Sequence, residues 1–367
     1  MEKQSLILII AISSIALSLT LGQNLNKDGG VSKKQETLRN LEGEVDVLNL
    51  YNNTNELIEQ FKVLNPTTVK DGLEKHIQNR LLTGFANWNR GFETWKAWGN
   101  ILYTKDSIYN VHGARLTLEH YQVAMDQSLK QTKIFMGDFH NMLISDQYCG
   151  IHYDFITERD GIRKMGKVME FVKFHEYGTD EKPDTRVEEG WGSVKDDSYD
   201  GLIRFQGEDE KKNQTGQDEY NLNYQFPDTT DLREKYVIKY PTTYIDANAN
   251  QILDIILNGF ESWNKGLSYY LDWVDNNFDE NAFSSSMDER ERNMTQYKAE
   301  ITELFQNNTI TKLYFDNFLI RDNWAAIHYR YRKENYKGSE KYVGDRMEFF
   351  KFEGEDQNLK IVANYIQ

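Results

Sequence analysis

Cysteine and proline are scarce in this chain, and positive charge is outnumbered. The one cysteine, Cys149, excludes an intramolecular disulfide framework. Four prolines and 24 glycines among 367 residues exclude collagen-like and proline-rich low-complexity sequences. The 43 Lys and Arg face 58 Asp and Glu, giving a formal net charge of −15, and no basic stripe suited to phosphates is visible. We therefore expect a fold held by packing alone, and no nucleic-acid partner.

Aromatic residues, by contrast, are abundant. Hydrophobic residues make up 39% of the chain and aromatic residues 13%, with 22 Tyr, 19 Phe and 7 Trp. This much ring surface excludes disorder for most of the chain, because rings drive burial. At roughly 100 to 200 residues per domain, the length predicts two domains, each able to bury a core.

The first 22 residues have the pattern of a secretory signal peptide. An uncharged run of 17 residues covers 6–22, and Thr20 and Gly22 are suitably small before a cleavage point at Gln23. The alternative is an uncleaved membrane anchor, because this run lies at the short end of what crosses a bilayer. We predict cleavage, secretion or residence in the endomembrane lumen, and no membrane span in the mature chain.

Four acceptor sequons for N-glycosylation agree with secretion. Their asparagines are Asn52, Asn213, Asn293 and Asn307. Such tripeptides also arise by chance in Asn-rich chains, so they support secretion without proving it.

An internal repeat organises the rest of the chain. The motif Gly84-Phe85-x-x-Trp88-Asn89-x-Gly91 recurs 175 residues later as Gly259-Phe260-x-x-Trp263-Asn264-x-Gly266. Two later motifs also recur, Phe139-x-Asn141-x-Leu143 as Phe315-x-Asn317-x-Leu319, and Met169-Glu170-Phe171 as Met347-Glu348-Phe349. A period of this length is too long for a solenoid, so it predicts a duplicated domain.

Both copies have the same predicted order of elements. Apolar residues three and four apart over 77–95 and 252–270 predict one face of a long helix. A second helix is predicted at 116–130 and 288–305, and the period then changes to two, which is typical of strands. The fold class is therefore α+β. We predict a signal peptide at 1–22, an N-terminal extension at 23–61, a first domain at 62–200, a linker at 201–237 and a second domain at 238–367.

This order of elements, with the strand motifs Met169-Glu170-Phe171 and Met347-Glu348-Phe349, resembles the SnoaL-like branch of the nuclear-transport-factor-2-like superfamily. The resemblance covers roughly residues 62–200 and 238–367. It implies two tandem cone-shaped domains, each a curved antiparallel sheet wrapped around a long N-terminal helix, with an apolar pocket. Single domains of this superfamily commonly dimerise through the outer sheet face, so the fusion implies an intramolecular pseudo-dimer.

His152 and Asp154 are the candidates for acid–base catalysis. They lie two apart on a predicted strand and share one face, whereas Ile151, Tyr153 and Phe155 take the other. A histidine beside a carboxylate inside a pocket would suit a proton shuttle. The strand pattern favours the alternative, in which the apolar face points inward and the pair lies on a solvated outer face.

The remaining candidates are positions in a ligand pocket. Asn141 and Asn317 fall where the pattern expects apolar residues, so each needs a hydrogen bond to the backbone or to a ligand. The resemblance places Tyr109, His112 and His120 near the pocket mouth. Trp88 on the long helix is either core or pocket lining. No metal motif is visible among seven His and one Cys, and we expect no metal and no cofactor.

Three functions fit these observations. The leading hypothesis is a secreted tandem protein that binds a small hydrophobic ligand or a partner in a conical pocket, without an assignable reaction. The alternatives are an isomerase, cyclase or hydratase that uses the first domain, and a non-catalytic protein-interaction module. The second copy has serines at 284–286 where the first has its mouth residues, so the first copy is the favoured ligand site.

Overall fold

The computed structural model describes residues 59–111, 114–130, 132–177, 184–194, 224–241, 247–286, 290–335, 341–355 and 358–367. Within them the first copy contains β1 (Val63–Asn65), α1 (Leu73–Arg90), α2 (Phe92–Leu102), β2 (Tyr103–Val111), β3 (Ala114–Thr117), α3 (Leu118–Leu129), β4 (Lys133–Ser145), β5 (Tyr148–Arg159), β6 (Ile162–Glu176) and β7 (Thr185–Val194). The second contains α4 (Leu232–Lys235), β8 (Ile238–Pro241), α5 (Ala247–Lys265), α6 (Leu267–Asn277), β9 (Phe278–Ser285), β10 (Glu291–Asn293), α7 (Met294–Asn307), β11 (Asn308–Arg321), β12 (Trp324–Asn335), β13 (Lys341–Glu353) and β14 (Lys360–Ile366). The α+β fold class and the duplication are confirmed.

Each copy forms one seven-stranded sheet, and the two sheets have the same topology. The strand orders are β1-β4-β5-β6-β7-β2-β3 and β8-β11-β12-β13-β14-β9-β10. The sheets are mixed, because β1 runs parallel to β4 and β2 parallel to β7, as do their equivalents in the second copy. The expectation of a purely antiparallel sheet was therefore wrong. The alternating pattern predicted the meander, but it did not show that a parallel strand lies beside the meander on each side.

The predicted long helix is in fact two helices in each copy. Gly91 separates α1 from α2 with φ 133°, and Gly266 separates α5 from α6 with φ 121°, a conformation that glycine adopts readily. The apolar spacing continues across the break because both helices cover the same sheet face, and the Trp88 and Trp95 rings lie 5.0 Å apart. Periodicity alone could not reveal the interruption.

Each sheet buries one face under its own helices. The first core includes Ile77 of α1 with Phe139 and Ile151 of the sheet, all at 0% exposure. Residues outside the predicted domain boundaries join these cores: Phe61 packs into the first and Tyr236 into the second. Full burial of such a side chain contributes roughly 1.5–3 kcal/mol. Tyr236, at the end of the predicted linker, thus packs with the second domain.

The opposite faces of the two sheets pack against each other. Their shared apolar cluster joins the two copies through Leu143, Met169, Phe171, Trp191, Leu319, Trp324, Ala326, Met347 and Phe349. Arg321 of the second copy donates from Nε to the carbonyl oxygen of Ile144 in the first, at 3.0 Å. The two copies therefore form a pseudo-dimer within one chain, as the duplication predicted. Across the described ranges, no helix has the length and apolar character needed to cross a membrane.

Candidate functional site

A bulge in β4 decides which of its side chains face the helices. Phe139 pairs with Tyr153, but Asn141 pairs with His152, so one residue of β4 is unmatched. Residues directly opposite on antiparallel strands share a face. Phe139 and Tyr153 belong to the core under the helices, whereas Asn141 and His152 lie on the interface face. The expectation that Asn141 shares a face with Phe139 was therefore wrong, because a bulge inverts the alternation.

The structure does not bring His152 and Asp154 into direct contact as a catalytic pair. His152 is 2% exposed and faces the second domain, where its ring lies 6.0 Å from that of Phe349 and 5.4 Å from that of Tyr365. Asp154 pairs instead with His140, whose Nε2 lies 2.7 Å from Asp154 Oδ1. Burial, followed by the neighbouring His140, lowers the pKa of His152 well below its usual range. The predicted outer face was correct, but a second sheet covers it in place of solvent.

The two candidate asparagines also lie in the interface rather than in a pocket. Asn141 has no exposed surface, and its side-chain amide has no hydrogen-bond partner within the described residues. A bulge likewise precedes Asn317, whose Nδ2 lies 3.3 Å from Nδ1 of His328. The Nε2 atom of that histidine lies 3.0 Å from Asp345 Oδ2. Asn317 is thus bound within the protein, and neither asparagine is positioned to bind a ligand in the core.

Of the other four residues proposed for the pocket, two line a cavity. Trp88 and Tyr109 both do, and Trp88 is also held by a 3.0 Å hydrogen bond from Nε1 to the carbonyl oxygen of Ile134. His120 lies exposed in the first turn of α3 and does not line the cavity. His112 lies outside the described residues.

The cavity lies inside the first domain, between the helices and the sheet. It has a volume of about 70 Å³. Its wall is mainly aromatic, formed by Phe85, Trp88, Trp95, Trp98, Tyr103, Tyr109, Tyr121, Tyr153 and Phe174. For scale, an apolar cavity of roughly 150 Å³ binds benzene. This cavity therefore suits a small group of a few non-hydrogen atoms.

Glu170 is the one carboxylate in the cavity wall. The hydroxyl of Tyr153 donates to Glu170 Oε1 at 2.8 Å, and Tyr109 also forms a hydrogen bond with this carboxyl group. Burial raises the pKa of Glu170, and the two tyrosine hydrogen bonds oppose that shift. Within the described ranges the structure places no Lys, Arg or His in an ion pair with Glu170. It is a carboxyl group in an aromatic site without a neutralising cation.

A glycine in β7, Gly190, leaves room for the Tyr109 ring. The Tyr109 ring lies directly over Gly190, where an added Cβ would come within 2.5 Å of the ring carbon Cδ2. The parallel pairing of β2 with β7 sets Tyr109 opposite Gly190, so the ring extends toward Glu170. The sequence pattern did not single out Glu170, although its motif recurs in the second copy with Glu348. Glu170 lies opposite the buried Ile151, so it is a charged residue on the core face of a strand.

The second domain fills the equivalent space with its own side chain. Glu348 accepts a 2.6 Å hydrogen bond from the Tyr329 hydroxyl, as Glu170 does from Tyr153. Lys312 lies beside it, 3.9 Å from Nζ to Glu348 Oε1, and is 7% exposed. Burial lowers the pKa of Lys312 to about 8, although Glu348 opposes the shift.

The predicted glycosylation sites lie away from both cores where they are described. Asn293 and Asn307 are exposed at the two ends of α7. Asn293 Oδ1 caps the helix by accepting from the Gln296 backbone N–H at 3.0 Å. Asn52 and Asn213 lie outside the described residues, and glycosylation stays a prediction. In the described part of the chain, no group of three or more His, Cys, Asp or Glu is placed to hold a metal ion.

Comparison with known proteins finds similarity at the level of solved structures. No family model and no curated protein matches the chain. AclR from Streptomyces galilaeus is 13% identical, with a TM-score of 0.29 over 35% of this chain and 96% of that protein. A SnoaL-like polyketide cyclase from Jannaschia sp. CCS1 is 12% identical, with a TM-score of 0.28 over 34% of this chain and 90% of that protein.

A nuclear-transport-factor-2-like protein from Burkholderia pseudomallei gives similar values, 11% identity and a TM-score of 0.28 over 34% of this chain and 91% of that protein. Similarity this weak carries no conclusion about activity. Each match spans about a third of this chain. Over that length the chain is similar to solved structures described as SnoaL-like or nuclear-transport-factor-2-like.

Proposed function

We propose that this protein is a secreted binding protein that takes a small organic ligand into the cavity of its first domain. The observation that carries the proposal is the position of Glu170 in an aromatic cavity, held by Tyr109 and Tyr153 and by no protein cation. A concave, mainly apolar site with a few convergent polar groups is the usual form of a ligand pocket. In this proposal each sheet wraps its helices as a cone, and only the first cone stays open.

The energetics of Glu170 support a ligand with a polar or charged end. A buried carboxylate is costly unless hydrogen bonds or an opposite charge compensate for lost water. Two tyrosine hydroxyls supply part of that compensation. A ligand group that donates a hydrogen bond to Glu170 would supply the remaining compensation. The hydrophobic ligand expected from the sequence is therefore proposed to carry one polar or charged group. At about 70 Å³, the cavity would hold one end of such a molecule.

The second domain is proposed to support the first rather than to bind a ligand of its own. Lys312 and Glu348 already satisfy each other inside it. The outer sheet faces cover one another through the interface cluster, which includes Phe171 and Phe349. A protein-interaction role on those faces, the third hypothesis from the sequence, therefore has little free surface to use.

Acid–base catalysis remains a second candidate, with a different residue in the central role. Burial moves the pKa of Glu170 upward, toward the range where a carboxyl group exchanges protons near neutral pH. An isomerase, cyclase or hydratase would then use Glu170 with the Tyr109 and Tyr153 hydroxyls, and not His152 and Asp154. In that case, Glu170→Gln would abolish turnover of a bound compound while leaving its binding largely intact.

The test is ligand binding by the full chain, secreted from a eukaryotic host. Native mass spectrometry and a fragment library monitored by tryptophan fluorescence would be compared for wild type, Glu170→Gln and the control Glu119→Gln, which changes an exposed acid on α3. We expect one equivalent bound by wild type and the control, and weaker binding by Glu170→Gln. The mass of the mature N-terminus tests secretion in the same preparation. Absence of any bound fragment in a folded wild-type protein would contradict the proposal.

A further inference from the structure

We infer that the first-domain cavity binds a small organic cation, namely an ammonium or methylated ammonium group. The inference rests on the proposed function and specifies its ligand class. It comes from comparing the interiors of the two copies position by position.

Met136 in the first copy and Lys312 in the second occupy equivalent places. The backbone N–H of Met136 donates to Asn89 Oδ1 at 2.7 Å, and its carbonyl oxygen accepts from Asn89 Nδ2 at 2.9 Å. Lys312 forms the same two bonds with Asn264, at 2.9 and 2.8 Å. The repeat aligns Asn89 with Asn264, so the two side chains start from the same point and enter equivalent spaces.

In the second domain this space is an aromatic cage around an ammonium group. Lys312 Nζ lies 4.5 Å from the ring centroid of Phe260, 4.8 Å from that of Trp263, 5.0 Å from that of Tyr329 and 5.9 Å from that of Tyr270. A cation within about 6 Å of an aromatic face is attracted to it, and the attraction strengthens when water is excluded. Glu348 adds an opposite charge at 3.9 Å.

The first domain keeps the cage and the carboxylate but lacks the cation. The equivalents of the four rings are Phe85, Trp88, Trp95 and Tyr153, and all four line the cavity together with Glu170. Met136, which also lines the cavity, has no charge to place among them. The open space therefore lies where the second domain holds an ammonium group.

A second position also gives the interior of the second domain more positive charge than that of the first. In the second domain Arg346 lies opposite Tyr329 and contributes a further, half-buried positive charge near Glu348. In the first domain the residue opposite Tyr153 is Val168. Glu170 therefore lacks the equivalents of both Lys312 and Arg346.

Arg80 does not take their place. It lines the cavity, but its Nε donates to His76 at 3.2 Å and its Nη2 lies 4.0 Å from Asp184. Among the described cations, the structure gives none an ion pair with Glu170. A bound ligand with one positive charge would give Glu170 the kind of partner that Lys312 gives Glu348.

The test is isothermal titration calorimetry on the full chain with methylammonium, tetramethylammonium and choline, against 3,3-dimethylbutan-1-ol, the uncharged isostere of choline. We expect at least one cation to bind at one equivalent, and choline to bind at least tenfold more tightly than its isostere if it is the one that fits. Glu170→Gln should weaken binding of the cation at least tenfold more than it weakens binding of the neutral alcohol.

Two variants at position 136 sharpen the test. Met136→Lys gives the first domain the side chain that already folds inside the second, so it should fill the cage and abolish cation binding. Met136→Leu keeps an apolar side chain of similar size and should weaken cation binding far less than Met136→Lys does. Circular dichroism and thermal unfolding confirm that both variants are folded.

The outcomes separate this inference from the proposed function. If none of the cations binds but neutral fragments do, the assignment of a cationic ligand is wrong, while the proposed ligand pocket is retained. The same conclusion holds if neither Glu170→Gln nor Met136→Lys changes cation binding. If no fragment of any charge binds to folded protein, the proposed function fails and this inference fails with it.

Discussion

Arg321 of the second domain forms an ion pair with Glu74 of the first, and both side chains are almost fully buried, at 5% and 4% exposure. Glu74 also accepts hydrogen bonds from the backbone N–H groups of Lys70, at 2.9 Å, and Asp146, at 3.2 Å. The pair thus joins the start of α1, the β4–β5 turn and the end of β11. It fixes the relative position of the two copies at one edge of their interface.

Removing one member of this pair should destabilise the protein strongly. Arg321→Ala leaves the Glu74 carboxylate buried without its partner, which typically costs about 3–5 kcal/mol. The control is Arg233→Ala, which breaks the exposed pair with Asp254, where less than about 1 kcal/mol is expected. Urea unfolding of both variants measures the difference. Equal losses of unfolding free energy would contradict the role of the buried pair.

The equivalent glutamates Glu170 and Glu348 should respond oppositely to the same substitution. Burial raises the pKa of Glu170, so the folded state binds its proton more tightly than the unfolded state. Its contribution to the free energy of unfolding therefore falls as the pH rises from the pKa of the unfolded-state carboxyl group to the pKa in the folded state. Glu170→Gln should remove that fall. Glu348→Gln instead leaves Lys312 buried without its carboxylate, at a cost of about 3 kcal/mol.

Unfolding free energies of both glutamine variants at pH 5 and pH 8 test this contrast. The Glu170→Gln variant should gain relative to wild type as the pH rises, and Glu348→Gln should be the less stable at both values. A similar loss of unfolding free energy in the two variants would contradict this contrast, because it would show that Glu170 and Glu348 have the same charge balance around them.

Lys312 should give the second domain a distinctive dependence on pH. Its pKa is about 8 in the folded protein against an ordinary value of 10.5, so between these values the unfolded chain holds more protons. The free energy of unfolding should then rise with pH in this window, by about 2 kcal/mol between pH 8 and pH 10. Above pH 10 the buried tyrosines act in the opposite direction, because burial raises the pKa values of Tyr270, Tyr297 and Tyr329.

Comparison with Lys312→Met isolates this effect. The variant copies the first domain at this position and keeps the tyrosines, so the rise between pH 8 and pH 10 should disappear. Urea unfolding at half-unit pH steps measures both curves. If the two curves keep the same slope, Lys312 is not the group responsible.

Gly190 should be required for the position of Tyr109 in the cavity. Gly190→Ala would bring a Cβ within 2.5 Å of the Tyr109 ring, so the ring must move and its hydrogen bond to Glu170 should be lost. We expect ligand binding to fall at least tenfold while the fold persists. Gly99→Ala is the matched control, because its Cβ would meet other atoms only at 3.6 Å or more. Unchanged binding by Gly190→Ala would show that Tyr109 takes no part in the site.

Several features of the site were within reach of the sequence. The repeat aligned Trp88 with Trp263 and placed both on the helix face that packs on the sheet. The resemblance placed Tyr109 near the mouth of a pocket, and in the structure its side chain lines the cavity. The preference for the first copy as the ligand site rested on its mouth residues, whereas the structure points to Met136 and Lys312 as the difference that matters.

Other features depended on contacts between distant segments. Asn141 lies on the interface face because one unmatched residue in β4 inverts the faces of that strand, and local alternation does not show where a bulge falls. His152 lies on the predicted outer face, which the second copy covers. Asp154 of β5 pairs with His140 of the neighbouring strand β4 rather than with His152 of its own strand. Glu170 was visible only as part of a repeated motif until the pairing of β6 with β5 set it opposite Ile151, on the core face.

The sequence by itself determined the duplication, the α+β order of elements and the apolar faces, because these follow from composition and from periods of two and about 3.6 residues. The tertiary structure decided which faces meet water, where a helix breaks and which charges balance one another. His152 lies on an outer face that became an interface, and Glu170 lies on an inner face that kept a cavity. Burial and charge balance depend on whatever else packs nearby, and for this chain that includes the other copy of the same fold.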